Sequence, residues 1–248
     1  MKISAVIITF NEERNIGRCL DALAGVADEV VVVDSFSKDS TEQICRAKGA
    51  RFIQHAFEGF GTQKNWALKQ AFHPYVLSLD ADEVLSEALR ASILTAKQNW
   101  QYDGYTMNRL TNYCGRWIRH SGWYPDRKLR LFDTRKGRWG ADDVHEKVEM
   151  DAGSSTGHLD GDLLHYSYYS VQEHIGRVHR YAEMAASALH AQGKRASWLN
   201  VIFSPVFKFF RNYVLKLGFL DGSAGWTICR IAALETYLKY RNLLRLRS

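Results

Sequence analysis

The sequence predicts an α/β fold, a mostly parallel sheet flanked by helices, followed by a helical, basic C-terminal segment. Strand-length apolar runs alternate with helix-spaced stretches over about the first ninety residues, the pattern of a sheet covered on both faces. Acids and amides stand where those runs end, which is where such sheets bind ligands. From residue 192 onward the character changes. Ten Lys/Arg residues face only Asp221 and Glu235 there, a surplus of eight that leaves the preceding residues at −2 within a total of +6.

Ile3-Ser4-Ala5-Val6-Ile7-Ile8-Thr9-Phe10 is a nearly continuous apolar run with β-branched members and suits a strand buried on both faces, ending at Asn11. Ile16, Leu20 and Leu23 then recur at helical spacing, and Glu29-Val30-Val31-Val32-Val33-Asp34 reads as a second strand closed by an acid. Asp39, with Glu42 three residues on, has capping-box spacing and starts a helix to about Lys48. A third strand is expected at Arg51-Phe52-Ile53, a turn at Gly59-Phe60-Gly61 and a helix over residues 62–70. Tyr75-Val76-Leu77-Ser78-Leu79 then forms a strand that opens into Asp80-Ala81-Asp82-Glu83. Another helix covers residues 86–100. The Trp, Tyr, Arg and Gly content of residues 105–140 predicts short strands and loops, and residues 174–192 are helical again.

The 248 residues are 46% hydrophobic and 24% charged, enough for a full-sized core, and 3 prolines with no low-complexity stretch indicate no linker. The expected organisation is a domain over residues 1–191, divided into a first half (1–100) and a second half (101–191), and a C-terminal segment over 192–248. Cys19, Cys45, Cys114 and Cys229 lie far apart with no metal-type spacing and read as reduced thiols. The chain enters its first strand after a single lysine, without the pattern of a signal peptide, so a cytoplasmic setting is expected. The longest charge-free stretch near the C-terminus, residues 196–207, falls short of the ~20 residues that span a bilayer. With Trp198, Phe203, Phe207, Phe209, Phe210, Tyr213 and Trp226 among the cations, this segment suits an anionic membrane surface. A basic, aromatic segment also suits nucleic acid, but that reading leaves the acids at the strand ends without a role, and no nucleic-acid partner is expected.

Asp80 and Asp82, one residue apart where a strand opens, present oxygens to a hard divalent ion and to a ribose. Alone, such a pair serves equally as a turn or helix cap. Asp34 is placed to accept the N3 hydrogen of a uracil, or to cap. Lys64 near a helix start brings positive charge to a diphosphate. Neither GxxxxGK[ST] nor GxGxxG occurs, which argues against ATP-type phosphate binding.

Taken in order, Ile7-Ile8-Thr9-Phe10-Asn11-Glu12, Val33-Asp34-Ser35-Phe36-Ser37-Lys38-Asp39-Ser40-Thr41, Lys64-Asn65 and Asp80-Ala81-Asp82 resemble the family 2 inverting glycosyltransferases. His120-Ser121-Gly122-Trp123-Tyr124-Pro125-Asp126, Val144-His145-Glu146 and Gly218-Phe219-Leu220-Asp221-Gly222 resemble the branch that holds lipopolysaccharide core β-1,4-glucosyltransferases. The resemblance implies a nucleotide-sugar-binding fold of the GT-A type, with Thr9, Asn11 and Glu12 near the nucleotide, Asp34 on the base and the Asp80-Ala81-Asp82 motif on ribose and metal. Asp34-Ser35 stands where many relatives carry two acids.

Inversion needs one base to take the acceptor hydroxyl's proton. Asp142, Asp143, His145 and Glu146 are the dense acid/His cluster after the metal motif, or else a solvated turn. Glu146 matches the family's position for the base, with Asp142 next. His165 completes the metal shell or is a core histidine. Trp123, Tyr124 and Asp126 suit a sugar acceptor, and Arg116, Arg119, Arg127 and Arg130 suit its phosphates. The expectation is transfer of a sugar, glucose foremost, from a UDP-sugar to a lipid-anchored lipopolysaccharide inner-core acceptor. It uses Mg²⁺ or Mn²⁺ and takes place on the inner face of the plasma membrane. Capsule or exopolysaccharide synthesis with another nucleotide sugar is the alternative, and a membrane adaptor without catalysis is the reading from another class.

Overall fold

A computed structural model describes residues 1–140 and 147–246. Strands β1(Ile3–Thr9), β2(Glu29–Asp34), β3(Arg51–Gln54) and β4(Tyr75–Asp80) pair in parallel in the order β3-β2-β1-β4, with Ala5 opposite both Val30 and Leu77. Their continuous apolar character follows from burial on both faces. Ile3, Ala5 and Ile7 pack with α1(Ile16–Leu23), α2(Thr41–Ala47) and α4(Glu87–Gln98) through Ile16, Cys19, Cys45, Leu89 and Ile93. Val6, Val31, Val33 and Val76 face the other way, against Ala67 and Leu68 of α3(Phe60–Leu68).

Beyond β4 the pairing reverses. The order continues β4-β8-β6-β11-β5, made of β5(Glu83–Leu85), β6(Gly104–Tyr113), β8(Asp126–Asp133) and β11(Thr156–Tyr168). The β4–β8, β6–β8 and β11–β5 pairs are antiparallel. The expected parallel arrangement therefore holds for the first four strands, and the whole sheet is mixed. Strands β6 and β8 run ten and eight residues, longer than the short strands expected over 105–140. Strands β7(Arg116–Ile118), β9(Gly137–Trp139) and β10(Val148–Met150) complete the set, β9 and β10 forming a two-stranded antiparallel ribbon.

Two element starts differ from the sequence expectation. Helix α3 begins at Phe60 because Gly59 alone takes the open backbone geometry before it, at φ +118°. Ser40, not Asp39, is the N-cap residue of α2. Asp39 instead accepts hydrogen bonds from the backbone N–H and hydroxyl of Thr41 and from the Glu13 N–H, a structural role.

The chain divides into two compact units, Met1–Arg109 with Asp126–His165, and Leu110–Pro125 with Tyr166–Ser248. In the second, α5(Val171–Ala191) and α6(Trp198–Phe210) pack on α7(Gly222–Arg245). Val178 and Ala182 meet Ile231 and Leu238, and Ala186 and Ala196 meet Leu243. Ser170 caps α5 by accepting from the Glu173 N–H, and Ser197 forms a capping box with Asn200 on α6. A π-helical turn, Arg211–Leu215, and a 3₁₀ turn, Gly218–Asp221, link α6 to α7. Among the described residues no helix is long and apolar enough to cross a membrane.

Gly161 lies within β11 at φ +98°, and a Cβ there would collide with the backbone of Leu89 at the start of α4. Gly161→Ala is expected to lower stability by about 2 kcal/mol or more, read as a fall in the urea midpoint. An unchanged midpoint would show that α4 moves aside freely.

Candidate functional site

The strand ends of the first unit carry the predicted polar residues. Asp80 is the last residue of β4, and both its carboxylate oxygens are engaged: Lys64 Nζ of α3 lies 2.9 Å from Oδ1 and Arg130 of β8 lies 2.8 Å from Oδ2. Arg130 also reaches Glu83 Oε1 at 2.7 Å, and Glu83, fully buried, accepts the Asp80 N–H at 3.0 Å. Arg109 of β6 then joins Glu83 at 3.5 Å to Asp126 at 2.8 Å, and Lys128 meets Asp126 at 3.0 Å. Burial alone would raise the Asp80 carboxyl's pKa; Lys64 and Arg130 outweigh it and hold that carboxyl well below the usual carboxylate range. The indole of Trp139 lies beneath both cations, with Lys64 Nζ at 4.2 Å and the Arg130 guanidinium at 5.1 Å from the ring centre.

Trp139 is held in turn by Asn65, whose side chain exchanges two hydrogen bonds with its backbone at 2.8 and 3.0 Å. The Lys64-Asn65 pair thus does two things at once: the lysine neutralises Asp80, and the asparagine fixes β9. Around this cluster opens a cavity of about 630 Å³ lined by Phe60, Lys64, Asp80, Arg109, Arg130 and Lys147 among others. Cations dominate its described lining.

Asp82 follows β4 and meets His165 at 3.3 Å between Oδ2 and Nε2. The β11–β5 register causes this, since it sets His165 opposite Glu83. One carboxylate and one imidazole, both partly exposed, are oxygen and nitrogen donors of the kind a divalent ion takes. Among the described residues no group of three or more His, Cys, Asp or Glu forms a closed metal cage.

The ends of β1 and β2 form a second polar cluster. Asp34 is fully buried and accepts from the Thr9 hydroxyl at 2.9 Å and from the Ser37 hydroxyl and N–H at 2.5 and 2.7 Å. Asn11, at φ +54°, donates its N–H to Ser37 Oγ and accepts from the Lys38 N–H. Glu12 donates its N–H to Thr41 Oγ1 and accepts from the Asn15 side chain. Nearby, Gln63 links Ser35 to His55, and His55 stacks on Trp66 at 4.0 Å. Thr9, Asn11, Glu12 and Asp34 are thus brought together; Ala81 is buried between Asp80 and Asp82.

Of the acceptor set, Asp126 lies in the first unit, committed to Arg109 and Lys128, while Trp123 and Tyr124 lie in the second. Trp123 stands 5.8 Å from Tyr113, Tyr168 and His174 alike, packed among them rather than open on its whole face. Arg119 lies over Tyr124 at 5.6 Å. Asp221 gathers the loop before Trp123, accepting from the N–H groups of Arg119 and His120 and from the Ser121 hydroxyl. Two motifs about a hundred residues apart are therefore one structural feature. Arg130 is not the phosphate contact expected of a surface arginine, because it is buried on Asp80 and Glu83. Glu146 and Asp142 lie outside the described residues. Glu83 and Trp139 were missed; Glu83 stands beside the acid motif, and its place at a strand start was the available signal.

The family model described as Glycosyl transferase family 2 matches residues 4–154. A lipopolysaccharide core biosynthesis glycosyltransferase, LpsC, of Rhizobium meliloti is 29% identical over 97% of this chain and 93% of its own length. An uncharacterized glycosyltransferase of Rickettsia typhi is 28% identical over 99% of this chain and 87% of its own. Among solved structures, glucosyl-3-phosphoglycerate synthase from Mycobacterium tuberculosis, in complex with Mn²⁺, UDP and glucosyl-3-phosphoglycerate, is similar at 22% identity and a TM-score of 0.38. That match covers 45% of this chain and 44% of that one.

Burial, with the Arg177 charge adding to it, pushes the His174 imidazole down to about 4. The unfolded chain titrates near 6.5, so below that pH it takes a proton that the fold refuses. Stability is expected to be unaffected by this group above pH 6.5 and to fall by about 3 kcal/mol as the pH drops toward 4. Urea titrations of the chain and of His174→Gln should diverge across that window; parallel curves would contradict a buried neutral His174.

Proposed function

As the chain belongs to glycosyl transferase family 2, we propose that it is an inverting hexosyltransferase using a UDP-sugar, glucose foremost, and a lipid-anchored lipopolysaccharide inner-core acceptor. The observation that carries the donor reading is the pairing of Lys64 and Arg130 with Asp80 beside Asp82 and His165, at the carboxyl end of a parallel strand. Asp34 with Thr9, Asn11 and Glu12 forms the proposed base end, where the buried Asp34 carboxylate fixes the Ser37 turn beside which a uracil would lie. Asp80 and the Ala81 backbone serve the ribose and the sugar.

Asp82 and His165 are the proposed protein ligands for Mg²⁺ or Mn²⁺, with Asp80 next to them. The bound ion supplies Lewis-acid neutralisation of the departing diphosphate. Lys64 stands ready for the same charge, held against the Trp139 face. An acceptor hydroxyl attacks the anomeric carbon from the side opposite the diphosphate. Its proton passes to Glu146, with Asp142 the second candidate, and the C1–O bond breaks with its electrons leaving on the diphosphate. Trp123, Tyr124 and Asp126 are proposed to meet the acceptor sugar. The lipopolysaccharide assignment is supported by the relative from Rhizobium meliloti, whose name carries that pathway. A lipid-anchored acceptor sets the enzyme peripherally on the inner face of the plasma membrane, with the C-terminal segment toward an anionic surface.

The test is transfer from UDP-glucose to an inner-core oligosaccharide, with the anomeric configuration of the product read by NMR. An inverted linkage is expected. Glu146→Gln is expected to lower kcat by about 10²- to 10⁴-fold while UDP still binds. A retained configuration, or full activity in Glu146→Gln, would overturn the assignment of the base.

A further inference from the structure

Helix α6 carries a face that the second unit leaves uncovered. Trp198, Leu199, Ile202, Phe203, Val206, Phe207 and Phe210 recur at i, i+1, i+4, i+5, i+8, i+9 and i+12, and every one is between 49% and 69% exposed. Val201 is buried on the opposite side, where α6 packs on α7. A face of seven large apolar side chains with no charge among them is not an ordinary solvated surface. The turns that follow continue the pattern, with Leu215, Leu217, Phe219 and Leu220 all exposed. At about 1.5 Å per residue the 13-residue helix is ~20 Å long, short of a ~30 Å hydrocarbon layer, so it is built to lie in a membrane rather than cross it.

Beside this face cations outnumber acids. A pocket of about 420 Å³ is lined by Phe203, Phe207, Lys208, Arg211, Lys239 and Tyr240 among others. Among the described residues no carboxylate makes an ion pair with Lys208, Arg211 or Lys239. Burial, with the charges of Arg211, Lys239 and Lys216 adding to it, pushes the Lys208 amine down against the opposing charge of Glu235. Cations crowded against an apolar face, none of them ion-paired to a carboxylate among the described residues, complement a layer of lipid phosphates over hydrocarbon. Lys194 and Arg195 stand just before Trp198, adding to the same charge at the helix start. Phe209, Tyr213 and Trp226 meet ring to ring at 5.2 and 5.3 Å, bracing α6 and its π-helical turn on α7 so that the face is presented rigidly.

We infer that the second unit inserts the Trp198–Phe210 face of α6 in the plane of an anionic bilayer, with a lipid phosphate seated among Lys208, Arg211 and Lys239. This rests on the membrane-side acceptor proposed above, and it identifies the residues that enter the hydrocarbon and those that hold the headgroup. A second copy of the chain is the rival occupant, and it leaves the cations unmatched, because two copies would bring like charges together.

The experiment is vesicle flotation of the full chain with phosphatidylcholine alone and with added phosphatidylglycerol, with UDP calorimetry on the same samples. The wild type is expected to float with phosphatidylglycerol vesicles and to do so less well in high salt. Phe203→Asp with Phe207→Asp is expected to reduce partitioning by about a hundredfold while UDP binding persists. Lys208→Gln with Lys239→Gln is expected to abolish the preference for phosphatidylglycerol. Failure of the wild type to float, or a double-aspartate variant that floats as well as it does, overturns the inference. So does light scattering that gives a dimer which the aspartates dissociate. UDP binding without flotation would sink this inference alone, whereas flotation without UDP binding would sink the donor site and leave the membrane face standing.

Discussion

Asp80 is held between two cations, Lys64 and Arg130, and the first unit is arranged around that constraint. The three side chains come from α3, β4 and β8, and Glu83 of β5 closes the group by sharing Arg130. Lys64 and Arg130 are buried while Asp80 is partly exposed, and their contacts tie each element to the others by electrostatics as well as by packing. The antiparallel register of β8 on β4 brings Arg130 within reach of Asp80 at the carboxyl end of β4.

The same cluster is suited to a leaving group that carries negative charge. Lys64 and Arg130 are fixed before any substrate arrives, since both rest on Trp139 and Trp139 rests on Asn65 and Ser78. Electrostatic stabilisation of this kind needs little reorganisation during reaction. At the ends of β1 and β2 the backbone is similarly fixed. Asn11 and Phe36 both hold positive φ, and hydrogen bonds from Asn11, Ser37 and Thr9 converge on Asp34 and Ser37 to hold them there. Non-glycine residues persist in that region of backbone space where the surroundings over-determine them, and such places cluster at ligand sites.

Much of the first four strands was legible because both faces are buried and the sequence is correspondingly apolar: Val30 to Val33 admit few other readings. The acids that end them were legible by position alone. The mixed sheet was not, since β6 and β8 carry Arg109, Arg127, Lys128 and Arg130, whose charges disguise strands that face a polar cluster. Arg130 shows the limit most plainly. Among several arginines in one stretch, only the register of β8 on β4 and β6 singles out the buried one. The pairing of His165 with Asp82 is likewise a matter of register, through β5 and β11, with no trace in local sequence. Asp221 and the His120-Ser121 loop were separate motifs in the sequence and became one hydrogen-bonded unit in the fold. The sequence also makes a linear cut after residue 191, where α5 ends, whereas the compact units interleave along the chain.

The central claim is that the strand ends around Asp34, Asp80, Asp82 and His165 form a nucleotide-diphosphate site completed by a divalent ion. The most direct measurement is calorimetric titration of UDP, GDP and CDP with and without manganese, repeated with Asp82→Ala. The account predicts binding of UDP over the other two, strengthened by manganese in the wild type and not in the variant. Absence of binding by any of the three, or manganese-strengthened UDP binding that survives the substitution unchanged, would contradict it.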